Sequence, residues 1–224
     1  SKPVVLTGAL MPINDIAGDG RMNLVFAIRT AQLDLAEVCV ALGPHVLRGA
    51  RTKKVEASFM ETFESPNCQP LVDFSREITL APHRIVRRKR TLECKPMFDE
   101  NVVLLTVHPG MPQGFLDAVL ESRPHGIVLR TYGPGMLSRE LFPWLQKVTE
   151  QEIPIVITSQ ALRGKVDLHK YRKQLTLEQL GIISGKDMSF ECAMVKLMWA
   201  LTQAKTPRRI RDLMERNLVG ELDD

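Results

Sequence analysis

The sequence contains no run of roughly 18 apolar residues, the length that a membrane-spanning helix requires, so we expect no membrane segment. Its four cysteines are widely separated and form no C-x-x-C pair. This spacing disfavours a disulfide framework or a zinc site, and it indicates reduced thiols in a cytoplasmic protein. The five histidines lack H-E-x-x-H spacing. We therefore expect neither a metal nor a cofactor.

Several motifs that would identify a chemistry directly are also missing. There is no G-x-S-x-G nucleophile elbow and no G-x-x-x-x-G-K-[ST] phosphate loop. Gly18-x-Gly20 and Gly133-x-Gly135 lack the third glycine of a dinucleotide fingerprint, and we interpret both as turns. The net charge of +4 is a mild excess that does not require a nucleic-acid partner.

What the sequence does contain is an alternation of strand and helix patterns. Residues 3–8 and 38–42 are predicted strands, and between them a helix begins near Met22. The residues that recur at helical spacing are Leu24, Ile28, Ala31 and Leu35. Strand, helix and strand at this separation predict a right-handed crossover and therefore a parallel sheet.

The same alternation returns after residue 100. Residues 102–107, 126–131 and 153–158 are predicted strands, separated by a helix that Pro112 opens and a helix over 138–150. Continuous apolar runs indicate strands that are covered on both faces. The sequence predicts an α/β fold with two domains, each built on a parallel sheet of Rossmann or flavodoxin type.

Two helices are predicted near the end of the chain. Asp187 is the expected N-cap of the first, whose apolar stripe includes methionines that we interpret as core. The second begins at Thr206-Pro207 and is expected to turn Ile210, Leu213 and Met214 inward.

Two segments are rich in positive charge. Residues 84–90 contain five cations and are either a solvated surface or a site for an anionic partner. Residues 48–54 contain four cations. They form either a solvated loop or a segment that places a lysine side chain in a polar site. A lysine accepts a proton there only if its pKa falls by roughly 3 units, at a cost of about 4 kcal/mol, or if a carboxylate shares the proton.

Ligands of open parallel sheets bind beyond the carboxyl ends of the strands. This rule directs attention to three loops, at residues 7–20, 131–138 and 158–164. By itself it predicts an α/β protein with a small-molecule site.

Six blocks of the sequence, in order, resemble a known enzyme family. They lie at residues 2–24 (KPVVLTGALMPINDIAGDGRMNL), 47–67 (LRGARTKKVEASFMETFESPN), 132–133, 183–191, 196–199 and 217–222. This order is similar to that of L-asparaginases of the bacterial and archaeal type. The likeness is weakest at residues 69–100 and 165–178.

The resemblance implies a two-domain α/β enzyme that hydrolyses L-asparagine to L-aspartate and ammonia. In that family a threonine attacks the side-chain amide, and water then resolves the acyl-enzyme. A second threonine, an aspartate and a lysine handle the protons. The resemblance also implies a homodimer or homotetramer that binds the small molecule L-asparagine, while the composition predicts no membrane segment and does not favour a nucleic-acid partner.

Three site residues follow from the resemblance by position. Lys54 matches the lysine of the proton-handling triad, with Lys53 as the alternative if the alignment shifts by one residue. Ala9 matches the residue whose backbone carbonyl meets the substrate amide, a role that needs a small side chain. Asp19 matches the position before the helix, where we expect it to cap that helix rather than contact substrate.

The sequence departs from the family pattern in three places. Both threonines and the triad aspartate would lie upstream of Ser1, so the chain alone is expected to be inactive. Met136 stands where many relatives have an asparagine, and methionine donates no hydrogen bond. Ala161 replaces the cysteine of allosteric relatives, so control by asparagine is not implied.

We therefore predict three segments. Residues 1–75 are the remainder of an incomplete N-terminal asparaginase domain, residues 76–100 a connector, and residues 101–224 a C-terminal α/β domain.

Two alternatives to an asparaginase remain open. One is the D subunit of archaeal glutamyl-tRNA(Gln) amidotransferase, which shares the fold, although residues 19–24 read closer to free asparaginases. The other is a non-catalytic protein that keeps the fold for binding. The sequence upstream of Ser1 would separate these readings, while the preference for asparagine over glutamine depends on single methylenes of pocket depth.

Overall fold

The computed structural model describes residues 2–59, 62–89, 93–168 and 177–223. The chain divides into two compact units, Ser1–Cys94 and Lys95–Asp224. Among the described residues, no helix is both long enough and apolar enough to cross a membrane.

Unit 1 is built on a mixed sheet with the strand order β1-β2-β3-β6-β7. Its elements are β1 (Val4–Leu6), α1 (Gly20–Gln32), β2 (Val38–Ala41), β3 (His45–Arg48), β4 (Lys53–Lys54), β5 (Phe63–Glu64), β6 (Val72–Asp73) and β7 (Thr79–Leu80). Strands β4 and β5 form a separate two-stranded ladder.

The parallel sheet expected from the first half of the sequence is present only between β1 and β2. From β2 onward the neighbours β3, β6 and β7 are antiparallel. The reason lies in the connections, since only three residues join β2 to β3 and a parallel return needs a long crossover. Gly43 makes this tight turn possible, because its φ of 83° is rarely open to other residues.

Helix α1 buries Gly20, Asn23, Ala27 and Thr30 against the sheet. Three of the four residues whose spacing predicted the helix, Leu24, Ile28 and Ala31, are instead exposed, whereas Leu35 lies beyond the helix and is buried. The edge strand β1 is similar, since Val4 and Leu6 are each 54% exposed. Unit 1 therefore presents an apolar surface, formed by β1 and the outer side of α1, that no described residue covers.

Unit 2 has the parallel sheet that the sequence predicts, in the order β11-β10-β9-β8. Its strands are β8 (Val102–Thr106), β9 (Gly126–Thr131), β10 (Ile155–Ser159) and β11 (Ile183–Ser184), and its helices are α2 (Gln113–Glu121), α3 (Phe142–Glu150), α4 (Phe190–Gln203) and α5 (Pro207–Glu215). A short 3-10 turn, Arg139–Leu141, leads into α3.

Both faces of this sheet are covered, which explains the unbroken apolar strands. In β9, Ile127 and Leu129 belong to one core cluster with Trp144, whereas Val128 belongs to a second cluster with Leu197. Successive strand residues point to opposite faces, so each must be apolar when both faces are packed.

The predicted cap of α4 was wrong by two residues. Ser189 is the N-cap, and its hydroxyl accepts a hydrogen bond from the Cys192 amide. Asp187 instead accepts the backbone amide of Asp223 at 2.9 Å. The predicted start of α5 is confirmed, because the Thr206 side chain accepts from the Arg209 amide.

Candidate functional site

The loop that leaves the carboxyl end of β1 is held by buried polar side chains. Asn23, on the first turn of α1, is 2% exposed. Its amide nitrogen donates to the Gly8 carbonyl and to the Asp19 carboxylate, each at 2.9 Å, while its oxygen accepts from the Gly43 amide at 2.8 Å. Asn23 thus links both ends of the loop between β1 and α1 to the loop after β2.

Asp19 occupies the N-cap position of α1, yet its side chain makes no capping hydrogen bond. The capping role that the sequence favoured is therefore wrong. The carboxylate reaches back across the loop and accepts the backbone amides of Leu10 and Met11, each at 3.1 Å. Because Leu10 and Met11 precede Asp19 by nine and eight residues, helix-start rules alone do not predict this contact.

The pKa of Asp19 is lowered by this environment. Burial by itself would raise the pKa, but the amide hydrogen bonds from Met11 and Leu10 outweigh it. The contacts are complete above the ordinary aspartate value of 3.8 and are lost only as the pH falls through the lower folded value.

These contacts fix the backbone around Ala9, which is exposed. On one side the Gly8 carbonyl is hydrogen-bonded to Asn23, and on the other the Leu10 amide is hydrogen-bonded to Asp19. The start of α1 packs directly behind it, since a Cβ added at Gly20 would lie 3.2 Å from the Ala9 Cβ. The structure therefore brings together two of the three predicted site residues, Ala9 and Asp19. What they form is a preorganised stretch of backbone at the carboxyl end of a parallel strand.

Lys54, the third predicted site residue, lies on β4. It is exposed and lies opposite Phe63 of β5, and Lys53 lies opposite Glu64. Within the described part of the chain, no hydrogen bond or ion pair joins Lys54 to Ala9 or Asp19. The turn before β4 packs at the amino end of β2, because a Cβ on Gly49 would lie 2.9 Å from the Val38 carbonyl. The catalytic role of Lys54 remains a prediction.

The basic segment 48–54 is not simply a solvated loop, because Arg48 and Arg51 are buried. Arg48 forms an ion pair with Glu37, with an Nη2–Oε1 distance of 3.1 Å, and also donates to the His83 carbonyl at 3.0 Å. Burial alone would lower the pKa of Arg48, but the hydrogen bond and charge of Glu37 raise it. Sequence reasoning missed this pair, since nothing local connects the two positions.

The basic run 84–90 also has partners inside unit 1. Arg87 donates from its side chain to the Ala31 carbonyl at 2.8 Å and to the Leu35 carbonyl at 3.3 Å, at and just beyond the carboxyl end of α1. Arg84 donates to the Ala81 carbonyl at 3.1 Å. Cations at that end of a helix are stabilised by its dipole. Arg90 lies outside the described residues.

In unit 2 the loops at the carboxyl ends of the strands are held by backbone contacts. Tyr132 and Met136 form an isolated bridge, and Gly133 and Gly135 have positive φ, so the predicted turn is confirmed. Gln160 donates to the Val107 and Arg130 carbonyls at 2.7 and 3.1 Å. Nowhere in the described ranges do three His, Cys, Asp or Glu side chains come together as a metal site.

Comparison with known proteins identifies the chain's relatives. Residues 1–86 match the model of the asparaginase N-terminal domain, and residues 101–214 match that of the glutaminase/asparaginase C-terminal domain. L-asparaginase from Thermococcus kodakarensis is 34% identical over 98% of this chain and 67% of that protein. The chain belongs to the asparaginase family.

Solved asparaginase structures have the same fold. The thermostable L-asparaginase from Thermococcus kodakarensis superposes with a TM-score of 0.91 at 33% identity, covering 100% of this chain and 68% of that one. The two-domain α/β class expected from the sequence is therefore confirmed. The family resemblance is confirmed as well, and the asparaginase family consists of amidohydrolases.

Other asparaginase-family relatives have a different name. The D subunit of glutamyl-tRNA(Gln) amidotransferase from Methanobrevibacter smithii is 29% identical over 99% of this chain but only 53% of that protein. The chain thus spans about half the length of this amidotransferase subunit and about two thirds of the L-asparaginase from Thermococcus kodakarensis.

Removing the Asp19 carboxylate should free the loop. In Asp19→Ala, the Leu10 and Met11 amides lose a charged acceptor, so we expect their hydrogen exchange to accelerate about tenfold, the change that follows from losing such a bond. Mass-spectrometric or NMR exchange would measure it. Asp15→Ala is the matched control, since Asp15 accepts the Ala17 amide in the same loop. Equal effects of both substitutions on Leu10 and Met11 would contradict the assignment.

Proposed function

We propose that this chain is the larger part of an L-asparaginase, which hydrolyses the side-chain amide of L-asparagine to L-aspartate and ammonia. The observation that carries the proposal is the clamped backbone at residues 8–11, at the carboxyl end of β1. Small-molecule ligands of α/β sheets bind at such strand ends. Backbone held by Asp19 and Asn23 needs no reorganisation when a substrate arrives, which is what a preorganised site requires.

In this proposal a threonine hydroxyl from outside the chain attacks the amide carbon of the substrate. The Ala9 carbonyl accepts a hydrogen bond from the amide nitrogen and so orients the leaving group. Lys54 takes the hydroxyl proton and passes it on toward the departing ammonia. Water then hydrolyses the acyl-threonine, releasing aspartate. No cofactor takes part.

The uncovered apolar surface of unit 1 supports the idea that further polypeptide completes the site. Val4 and Leu6 on β1, and Met22 and Ile28 on α1, are all at least half exposed. A surface of this kind is usually covered by protein. We propose that the segment bearing the nucleophilic threonine packs there, and that the complete enzyme is a cytoplasmic homodimer or homotetramer.

The D subunit of an amidotransferase is the second candidate, because several relatives at 29–30% identity bear that name. It would release ammonia for a tRNA-bound substrate. The basic run 84–90 offers limited support, since Arg84 and Arg87 bind carbonyls within unit 1. A non-catalytic member of the family is the remaining alternative.

The deciding experiment measures ammonia release from L-asparagine and from L-glutamine, using the protein that carries this chain with its upstream segment. An asparaginase turns over free L-asparagine without a partner. A component of a tRNA-dependent amidotransferase would instead show salt-dependent tRNA affinity together with its partner protein. If the protein releases no ammonia from L-asparagine under any buffer condition, the asparaginase assignment fails.

A further inference from the structure

One nucleophilic side chain of unit 1 lies in a charged cluster that takes no part in the proposed hydrolysis. The Cys68 sulfur is 3.7 Å from His83 Nε2 and 3.9 Å from Arg48 Nη1. The three residues come from distant parts of the sequence: the end of β3, the turn after β5 and the segment after β7. The fold therefore assembles a thiol, an imidazole and a guanidinium at one place.

The cluster is held in position by contacts that do not depend on the sulfur. The Cys68 amide donates to the Ser65 carbonyl at 3.2 Å. Arg48 is anchored by Glu37 and by the backbone carbonyl of His83. Because that last contact uses backbone, the His83 side chain can be replaced without releasing Arg48.

Several charged and titratable groups lie around the Cys68 sulfur. Among the described residues they include Glu37, Cys39, Arg48 and His83, and the sulfur also donates to the Gln69 carbonyl at 3.4 Å. The Glu37 carboxylate is engaged by Nε and Nη2 of Arg48, and by the Ile85 amide at 2.6 Å. Arg48 Nη1 faces the sulfur at 3.9 Å. Thiols beside Arg or protonated His are the ones that react as thiolates.

Two other cysteines of the chain provide a contrast. Burial, followed by the negative charge of Glu37, raises the pKa of the Cys39 thiol to about 12, so that thiol is inert. Cys94 is exposed and lies in no comparable cluster of described side chains. Cys68 is half-buried, beside an exposed imidazole, so small reagents can reach it.

We propose that Cys68 is a reactive thiol that small peroxides oxidise to a sulfenic acid, with Arg48 and His83 as the groups that stabilise its thiolate. The sulfur attacks one peroxide oxygen, and the S–O bond forms as the O–O bond breaks. The thiol proton passes by way of His83 to the departing hydroxide or alkoxide, which leaves as water or an alcohol. Sulfur is oxidised by two electrons and the peroxide is reduced. A low-molecular-weight thiol then condenses with the sulfenic acid, releasing water and leaving a mixed disulfide.

Alkylation kinetics test the reactivity. Trypsin places the four cysteines on separate peptides, so the rate at each is measured in one reaction of the folded protein with iodoacetamide. At pH 7 we expect Cys68 to react about tenfold faster than exposed Cys94, because a larger fraction of it is thiolate. Cys39 should remain unlabelled until the chain unfolds.

Two histidine variants separate the cluster from general surface effects. His83→Gln should slow alkylation of Cys68 at least about threefold, since the thiol loses the imidazole that takes up its proton. His45→Gln, at an exposed histidine paired with Asp73 in the same unit, should leave the rate unchanged. Equal rates at Cys68 and Cys94, or an unaltered Cys68 rate in His83→Gln, would overturn the proposal.

A second measurement addresses the oxidation itself. After brief exposure to hydrogen peroxide, a dimedone-type reagent should label Cys68 before any other cysteine, and Cys68→Ser should abolish that label. Trapping at Cys94 in preference to Cys68 would show that exposure, rather than the Arg48–His83 environment, controls oxidation, and the proposal would fail.

Discussion

Replacing Lys54 by alanine should lower the turnover of L-asparagine by the complete enzyme at least about a hundredfold, the loss expected when an acid–base group is removed. The fold should survive, because Lys54 is exposed. Substitutions at such surface positions usually change stability by less than about 0.5 kcal/mol. Steady-state kinetics and a thermal unfolding curve measure the two effects separately.

Lys53→Ala is the matched control, since Lys53 is the adjacent cation on the same two-residue strand. It lies opposite Glu64, and its removal should leave turnover within a few-fold of the unmodified enzyme. The reverse result, a large loss in Lys53→Ala and a small one in Lys54→Ala, would mean that the assignment is displaced by one residue. If turnover falls only slightly, and equally, in both variants, then neither lysine takes part in the mechanism.

The second large effect concerns the stability of unit 2. Lys196 on α4 and Glu221 form an ion pair whose side chains are only 5% and 3% exposed. Lys196 also donates to the Arg216 carbonyl at 2.7 Å, and Glu221 accepts the Leu218 and Val219 amides at 3.1 and 2.7 Å. Lys196→Met leaves a buried carboxylate without its cation. We expect a loss of about 3–5 kcal/mol in the free energy of unfolding, measured with chemical denaturant.

A double variant provides the control for this pair. Lys196→Met combined with Glu221→Gln removes both charges and should recover part of the loss, because no unpaired charge is then buried. If the stability loss of the double variant equals the sum of the losses in Lys196→Met and Glu221→Gln, the two side chains are not coupled.

The ion pair also affects the pKa of Glu221 in the native protein. Burial would raise this pKa, but Lys196 and the Val219 amide lower it. The stability contributed by this carboxylate is therefore present above the ordinary glutamate pKa and lost as the pH falls through the folded value.

This pair also explains two of the blocks that resembled asparaginases. The Lys-Leu-Met-Trp block contributes Lys196, and the Asn-Leu-Val-Gly-Glu-Leu block contributes Glu221. The two positions are 25 residues apart in the sequence, so each block looked like an independent motif. In the structure they form one interaction that holds the end of the chain against α4.

The strands and helices of unit 2 were largely predictable. The apolar runs of β8, β9 and β10 are long, and proline and glycine mark the turns. β8 pairs in parallel with β9 through α2, and β9 pairs in parallel with β10 through α3. Unit 1 was harder to predict, because β6 and β7 are only two residues long. Elements that short have no periodicity, and they exist only because β6 pairs with β3 and β7 pairs with β6.

The candidate site was likewise only partly predictable from the sequence. Ala9 and Asp19 could be selected by position, but the partners of Asp19 could not, since a helix-start aspartate is usually expected to cap its own helix. Likewise the segment 48–54 was recognisable as basic, while the burial of Arg48 depends on Glu37, 11 residues earlier. A polar side chain's role depends on which partner reaches it, and distance along the chain carries little information about that.

The amino-acid order alone specified an α/β protein of the asparaginase family, because strand and helix periods and short motifs are local properties of the chain. Three features became visible only in the folded molecule: the antiparallel return of β3, the carboxylate clamp on residues 10 and 11, and the Cys68–His83–Arg48 cluster. Each depends on contacts between residues far apart in sequence, whose geometry is set by how the packed elements bring them together.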